Sequence, residues 1–476
     1  MNASLRSYDE KVPFLVASII STLLLVLLIP VVGVLAPVML MLTGGAIVLL
    51  IIILKNPFNG LMSLLVYCFV VVFIEREIDG FPLNYGVELL YFVVFVSIIA
   101  NINKYKLALL NNDLCILFAI WFVISFLQLF NPSGASPRGW LHEIRTSGLD
   151  SFFLTLSGFL IFKSKKHLNS FLYIIIGLSL LATLDGVKQL HFGLFPGEQN
   201  FLLNSPSHLV WGKIRVFSLY GDAGQFGASQ AHLSVICGVL ALGPFKIWKR
   251  IALFVLSIVF FYGMLISGTR GAFFALLPGI FMAIFLFKNI KVLLLGTLFT
   301  LVFLGGLKYT HIGSSNYHVF RLRTALNPED PSLNVRFSNQ ERLSKYMKDY
   351  PFGGGLGVIG YAGHEYNPGL IFATVEPDSY WVKVWAMYGI VGFTFWFCMM
   401  MYIIGKSSGI VWRIKDKDLR VKLIALAAGF TGIIACSYGN EVINAFPSSI
   451  IVYFSMVFVF LGPQLDENND KLINQI

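Results

Sequence analysis

Apolar runs long enough to cross a lipid bilayer recur along this chain and restrict the folds open to it. Fourteen runs are centred near residues 22, 45, 68, 94, 122, 156, 178, 234, 259, 280, 299, 392, 430 and 454. Those near 68, 156 and 430 are short or interrupted. A transmembrane helix needs about 20 mostly apolar residues, so the sequence predicts an all-α integral membrane protein with about 12–14 transmembrane helices.

Positive charge is concentrated in alternate loops, and this pattern predicts the orientation. With fourteen spans, the basic loops all lie on the side of the N-terminus: Lys55, Lys104–Lys106, Lys163–Lys166, Lys246–Arg250, Lys288–Lys291 and Lys406–Lys422. The positive-inside rule makes that side cytoplasmic and predicts that both termini are cytoplasmic. No small-residue cleavage site follows the first run, which therefore reads as a permanent span. These loops explain the net charge of +10 without a nucleic-acid partner.

One polar segment, residues 308–378, is far longer than the other connections and separates the spans near 299 and 392. We predict a single polytopic membrane domain, residues 1–476, with this segment inserted as an external cap. Within it, an apolar face of Leu343, Tyr346, Met347 and Tyr350 predicts a helix over Asn334–Tyr350. That helix lies either on the bilayer surface or over the bundle as a lid.

Three arginines on the outer face are candidates for an anion site. Arg270 lies in the tight turn Ser267–Gly271 between two apolar runs, where an unpaired guanidinium is costly. It is either an interfacial anchor on lipid headgroups or a ligand for phosphate oxygens. Arg215 precedes the next span, and Arg336 begins the cap helix. Together the three could neutralise a diphosphate without a metal ion. No Cys or Cys/His pattern suggests a metal site, and no cofactor is predicted.

Other polar residues on this face have both a structural and a functional interpretation. Asp222 either caps the helix that follows it or belongs to the anion site, beside amide N–H groups that favour anions. Asp378 and Glu376, at the entrance of the span after the cap, either stabilise a first helical turn or act as a general base. His364 and Arg342 are further candidates within the cap.

Several short motifs follow one another over residues 215–392: Arg215–Asp222, Ser267–Ala272, Arg336 with Tyr350–Gly357, Asp378–Tyr380, and Tyr388–Gly392. These motifs, in this order, resemble those of the O-antigen ligases and O-antigen polymerases of the Wzy type, a superfamily of polytopic bacterial glycosyltransferases. In the first two hundred residues, the resemblance is limited to the arrangement of membrane spans.

The resemblance implies metal-independent, inverting glycosyl transfer at the periplasmic face of the bacterial inner membrane, in surface polysaccharide assembly. The implied donor is a glycan on undecaprenyl diphosphate, and the acceptor is a second glycan or the lipid A core. Membrane lipids and polysaccharide assembly proteins are the other implied partners. Arg215, Arg270 and Arg336 match the positions that bind the diphosphate. Ligases carry a histidine where this chain has Asp378, which leaves Asp378 as the base and favours a polymerase.

Two functions other than glycosyl transfer remain as alternatives: transport and a structural role. A transporter of lipid-linked substrates has a similar number of spans, and Asp185 and Lys188 near one span end are compatible with it. Transporters, however, favour polar residues at mid-membrane, whereas the polar residues here gather at one face. A structural scaffold for polysaccharide assembly would need no catalytic arginines.

Overall fold

The computed structural model describes residues 35–78, 83–288, 290–311, 314–324, 327, 331–377 and 379–473. These residues are mostly helical, with one short hairpin of β1 (Leu209–Val210) and β2 (Lys213–Ile214). Before the hairpin lie α1 (Leu35–Lys55), α2 (Pro57–Glu77), α3 (Tyr85–Ala100), α4 (Asp113–Leu127), α5 (Pro137–Ile144), α6 (Asp150–Ile161), α7 (Lys165–His191) and α8 (Pro196–Asn204). After it come α9 (Ala223–Ala241), α10 (Ile247–Ile266), α11 (Phe273–Phe287), α12 (Ile290–Tyr309), α13 (Tyr317–Thr324), α14 (Pro331–Met347), α15 (Gly360–Tyr366), α16 (Tyr380–Arg413), α17 (Lys417–Cys436), α18 (Ser448–Phe460) and α19 (Gly462–Ile473).

The protein is an all-α integral membrane protein. Within the described ranges, seven helical segments are long and apolar enough to cross a membrane: Pro57–Glu77, Asp113–Phe130, Lys165–His191, Ile247–Ile266, Arg270–Phe287, Tyr380–Arg413 and Lys417–Cys436. Shorter apolar helical stretches occur at Thr43–Lys55, Tyr85–Ala100, Gly296–Tyr309 and Ser448–Phe460. Each predicted span centre from residue 45 onward falls in a helix. The first predicted span, near residue 22, lies outside the described residues.

The chain forms two compact units. The smaller comprises residues 1–61 and 92–102, of which residues 35–61 and 92–102 are described. In this unit the Ser97 hydroxyl donates to the carbonyl of Ile53 (2.7 Å), and the Asn101 amide donates to that of Leu54 (3.2 Å). These bonds attach the end of α3 to the end of α1. The larger unit contains residues 62–91 and 103–476, including every candidate site residue.

The centre of the larger unit is α9, whose side chains are almost all buried. It is rich in glycine, alanine and serine, small residues that allow neighbouring helices to approach closely. A Cβ on Gly227 would lie 3.1 Å from the Cβ of Ala272 and would overlap the hydroxyl of Ser267. The first turns of α9 are therefore packed directly against the connection that carries Arg270.

The predicted cap helix is confirmed, although it begins and ends three residues earlier than expected, as α14. Leu343 and Met347 of its predicted apolar face are buried, whereas Tyr346 is 37% exposed. Tyr350 lies in the turn that follows α14. Part of the apolar face is thus covered by protein.

A glycine-rich loop of the cap is joined to a kink in α16. The kink is at Gly389, with φ 69° and ψ −173°, a conformation nearly restricted to glycine. The amide N–H groups of Gly354 and Gly355 donate to the carbonyls of Ala386 (2.8 Å) and Met387 (3.1 Å). The kink thus exposes helix carbonyls, and the loop supplies their donors. Two sequence motifs, Tyr350–Gly357 and Tyr388–Gly392, are therefore one structural element.

Replacing Gly389 with alanine is expected to destabilise the protein by about 2 kcal/mol or more, since its backbone conformation alone costs about 1–3 kcal/mol for other residues. The new Cβ would also overlap the carbonyl of Pro351. Thermal unfolding of the purified protein in detergent measures the effect. Gly405→Ala is the matched control, because nothing lies within 4 Å of its Cβ position in the same helix. Equal unfolding midpoints for the two variants would contradict the expectation.

Candidate active site

The turn between α10 and α11 places Arg270 at one end of the helical bundle. Ser267 is buried; its hydroxyl donates to the carbonyl of Met264 (2.7 Å) and accepts from the amide N–H of Thr269 (3.2 Å). Gly268 has φ 58°, which suits glycine at the sharpest point of the turn. Arg270 then begins a single 3-10 turn that leads into α11. The local hydrogen bonds therefore fix the backbone that carries the arginine.

Arg321 of the cap holds the same turn from outside. Its Nε and one terminal nitrogen donate to the carbonyl of Gly268 at 3.2 and 3.0 Å. The side chain is buried, and its guanidinium lies 5.8 Å from the ring centroid of Trp211. The sequence showed Arg321 in the cap but gave no reason to assign it to the site.

Arg215 reaches the turn from the end of the β-hairpin. One terminal nitrogen donates to the Thr269 hydroxyl (2.9 Å) and the other to the carbonyl of Ser207 (3.2 Å). Its Nε is buried and has no hydrogen-bond partner among the described residues. Burial lowers the pKa of the Arg215 guanidinium, Asp222 raises it, and Arg321 adds to the lowering. An arginine remains charged at neutral pH in spite of such shifts.

The side chain of Arg336 extends from α14 towards the loop that follows α17. A terminal nitrogen of Arg336 lies 3.7 Å from the Cβ position of Gly439. The next residue, Asn440, packs on the arginine turn: its amide would overlap a Cβ on Gly271, and its Oδ1 would lie 3.2 Å from a Cβ on Gly224. Three separate chain segments therefore meet at this end of the bundle.

We call Arg215, Arg270, Arg321 and Arg336 the arginine cluster. Arg270 lies in the electrostatic field of the other three, and Arg215 in that of Arg321 and Arg336. The three predicted arginines are thus brought together, with a fourth added. Several guanidinium groups at one place suit the oxygens of a diphosphate, because each offers donors in a rigid, paired geometry.

The N-terminus of α9 is occupied by protein groups. The Asp222 carboxylate accepts from the amide N–H groups of Gly224 and Gln225, the latter at 3.0 Å. His208 Nε2 accepts from that of Ala223 at 3.3 Å. Asp222 therefore performs the capping role that the sequence offered as one of its two interpretations. Positive charge at this end comes from the arginine side chains rather than from free amide groups.

Three further candidates have their contacts within the cap. His364 Nε2 lies 2.9 Å from Glu376 Oε1, and both side chains are more than half exposed. The Arg342 guanidinium donates to the Thr374 hydroxyl at 2.8 Å. These contacts connect the candidates to cap residues and do not involve the arginine cluster.

Asp378, the predicted base, lies outside the described residues. The start of α16 is described: Ser379 is the N-cap, and its hydroxyl accepts from the amide N–H of Val382 at 3.3 Å. The amide N–H of Tyr380 donates to the carbonyl of Ser437 at 3.0 Å. The helix start is therefore attached to the loop that carries Asn440. Capping by Glu376, one interpretation of the sequence, is wrong, because Ser379 has this role.

A group of three charged residues, which includes Glu441 directly after Asn440, was missed by the sequence reasoning. Lys383 Nζ lies 3.0 Å from Glu143 Oε1 and 3.0 Å from Glu441 Oε2. The signal available was Lys383 itself, an ionisable residue just inside an apolar run, which requires a partner. The described residues contain no group of three His, Cys, Asp or Glu side chains able to hold a metal ion. Metal independence stays a prediction.

Comparison with known families identifies the segment that carries most of this geometry. Residues 252–397 match the family model described as O-antigen ligase. This segment is similar to the O-antigen ligases. The resemblance noted from short motifs is thus confirmed at the level of the superfamily of O-antigen ligases and polymerases. No curated protein matches the chain. The matched segment contains Arg270, Arg321 and Arg336, whereas Arg215 precedes it and Glu441 follows it.

Proposed function

We propose that this multi-pass membrane protein transfers a glycan from undecaprenyl diphosphate to a sugar hydroxyl at the periplasmic face of the inner membrane. The observation that supports this most strongly is the arginine cluster, assembled largely within the segment that matches the O-antigen ligase family. Arg215, Arg270 and Arg336 would bind the diphosphate, and Arg321 would hold the turn that carries Arg270. The periplasmic assignment follows the lysine-rich alternate loops, which favour the opposite, cytoplasmic side.

The proposed reaction is a direct displacement. The acceptor oxygen attacks the anomeric carbon, and the bond from that carbon to the lipid diphosphate breaks, which inverts the anomeric centre. Guanidinium groups stabilise the charge that develops on the leaving diphosphate, a role that requires donors fixed in advance. A carboxylate at this face accepts the hydroxyl proton, and Asp378 is the candidate that the sequence offers.

We favour polymerisation, in which a second lipid-linked glycan is the acceptor. The support is Asp378 at the position where the ligases it resembles carry a histidine. Ligation to the lipid A core is the alternative within the same chemistry.

Transport of a lipid-linked substrate has less support. Lys188, one of the two residues compatible with it, lies 3.2 Å from Asp185 and 2.7 Å from Glu198. Glu198 is fully buried and also accepts from the amide N–H of Phe195 at 2.7 Å. These contacts explain both residues as members of an ion group that stabilises the connection from α7 to α8.

Purified protein in proteoliposomes, supplied with an undecaprenyl-diphosphate oligosaccharide, tests these alternatives. We expect the lipid-linked chains to lengthen on a gel without lipid A core, and to lengthen equally in the presence of EDTA. Product that forms only when lipid A core is added would support the ligase alternative. The absence of covalent product under both conditions would contradict glycosyl transfer, and movement of the donor between leaflets would then indicate transport.

A further inference from the structure

The ion group of Glu143, Lys383 and Glu441 differs from an ordinary salt bridge in its composition. It contains two carboxylates for one ammonium. The Glu143 side chain is 4% exposed and that of Lys383 11%, whereas that of Glu441 is 30% exposed. Glu143 also accepts from the Ser147 hydroxyl at 3.0 Å. The Glu143 carboxylate is therefore buried, whereas the Glu441 carboxylate is partly exposed at the surface.

Glu441 belongs to the segment that touches the arginine cluster. Gly439, two residues earlier, lies beside Arg336, and Asn440 packs on the turn of Arg270. A partly exposed carboxylate thus directly follows two residues, Gly439 and Asn440, that contact the proposed diphosphate site. The position is suitable for a group that acts on the second substrate, whose hydroxyl must approach the same anomeric carbon.

The stoichiometry of the group leaves Lys383 with a counter-ion even when Glu441 carries a proton. In an isolated buried pair, protonation of the carboxylate would leave the ammonium without a counter-ion, which is strongly unfavourable. Here Lys383 keeps Glu143 as its partner when Glu441 takes a proton. Within the described residues, the hydrogen-bond partner of Glu441 is Lys383, through Oε2, so that Oε1 can face an acceptor.

We propose that Glu441 is the general base that receives the proton of the acceptor hydroxyl. Lys383 and Glu143 are positioning residues that hold its carboxylate. The inference rests on the proposed glycosyl transfer. As the oxygen–carbon bond forms, the hydroxyl proton passes to Glu441, and the electron pair of the breaking bond leaves with the lipid diphosphate. The proton is then released to solvent, which regenerates the carboxylate.

The test compares Glu441→Gln, Glu441→Ala and Asp378→Asn in the proteoliposome assay. The amide of Glu441→Gln can still accept a hydrogen bond from Lys383 but cannot take a proton. We expect its kcat to fall by about 10²–10⁴-fold, the usual contribution of a general base, while binding of the undecaprenyl diphosphate donor is retained. Added formate should restore part of the Glu441→Ala rate, because a small carboxylate can replace the missing base. A purely structural role would not produce this rescue.

Glu341→Gln is the matched control, because it makes the same change at a 74% exposed glutamate that pairs with Lys345 at 3.5 Å. If Glu441→Gln retains the wild-type rate while Asp378→Asn is inactive, the inference is overturned and Asp378 is the base. If Glu441→Gln does not fold, failure of formate to restore any Glu441→Ala activity overturns the inference. If the wild-type protein forms no product, the proposed function and the base fail together.

Discussion

Arg270→Ala is expected to reduce glycan transfer by about 10²-fold or more, since removal of one fixed donor from a developing oxyanion has this effect in other enzymes. Arg270 lies in a turn that is fixed by Ser267 and by two hydrogen bonds from Arg321. The backbone that carries its guanidinium is therefore held in place before the substrate arrives. Arg270→Lys should retain some activity, because it keeps the charge but loses the paired donors. Complementation of a host that lacks the protein, with surface polysaccharide read on a gel, measures both variants.

Arg138→Ala is the control for this series. Arg138 is an exposed arginine of α5 and has no assigned role in the site. Membrane levels of every variant are compared by immunoblot. Normal polysaccharide from Arg270→Ala at normal protein level would show that Arg270 is an interfacial anchor, the other interpretation of its position in the sequence.

Lys383→Met is expected to destabilise the protein by about 3–5 kcal/mol, the usual effect of removing one partner from a buried ion pair. Two carboxylates, Glu143 and Glu441, would lose the ammonium that lies 3.0 Å from each. Their mutual repulsion would add to the cost of burying Glu143. The change should appear as a lower midpoint of thermal unfolding in detergent.

Lys406→Met provides the comparison within the same helix. Lys406 pairs with Asp113 at 2.6 Å, but the two side chains are 45% and 40% exposed. Exposed pairs contribute at most about 1 kcal/mol, so this variant should unfold close to the wild type. Addition of Glu143→Gln to Lys383→Met should recover part of the lost stability, because it removes the more buried of the two charges. Equal unfolding midpoints for Lys383→Met and Lys406→Met would argue against an energetically important group at Lys383.

The features that the sequence predicted well are those determined by local pattern. Long apolar runs gave the helices, and the apolar spacing around Leu343 gave the cap helix to within three residues at each end. Arg270 was singled out because a guanidinium at the edge of hydrocarbon is costly without a partner, and Arg215 and Arg336 because they share its face of the membrane; their role stays a prediction.

The remaining features depend on contacts between distant segments, which no local pattern reports. Arg321 enters the site because its helix folds back over Gly268. Asn440 and Glu441 enter it because the loop after α17 lies against the turn of Arg270 and the start of α16. Neither residue has a distinctive spacing in the sequence. A partner for Lys383 was foreseeable, but which acidic residues would supply it was not.

The junction between the glycine-rich loop and the kink of α16 also limits which segments can be exchanged between this protein and its relatives. Gly353 and Gly389 face each other, and a side chain on either would overlap backbone atoms of the other segment. The loop belongs to the cap and the kink to a membrane helix, although each completes the hydrogen bonds of the other. A chimera that takes its cap from a related protein should therefore fold only if the kinked part of α16 is transplanted with it.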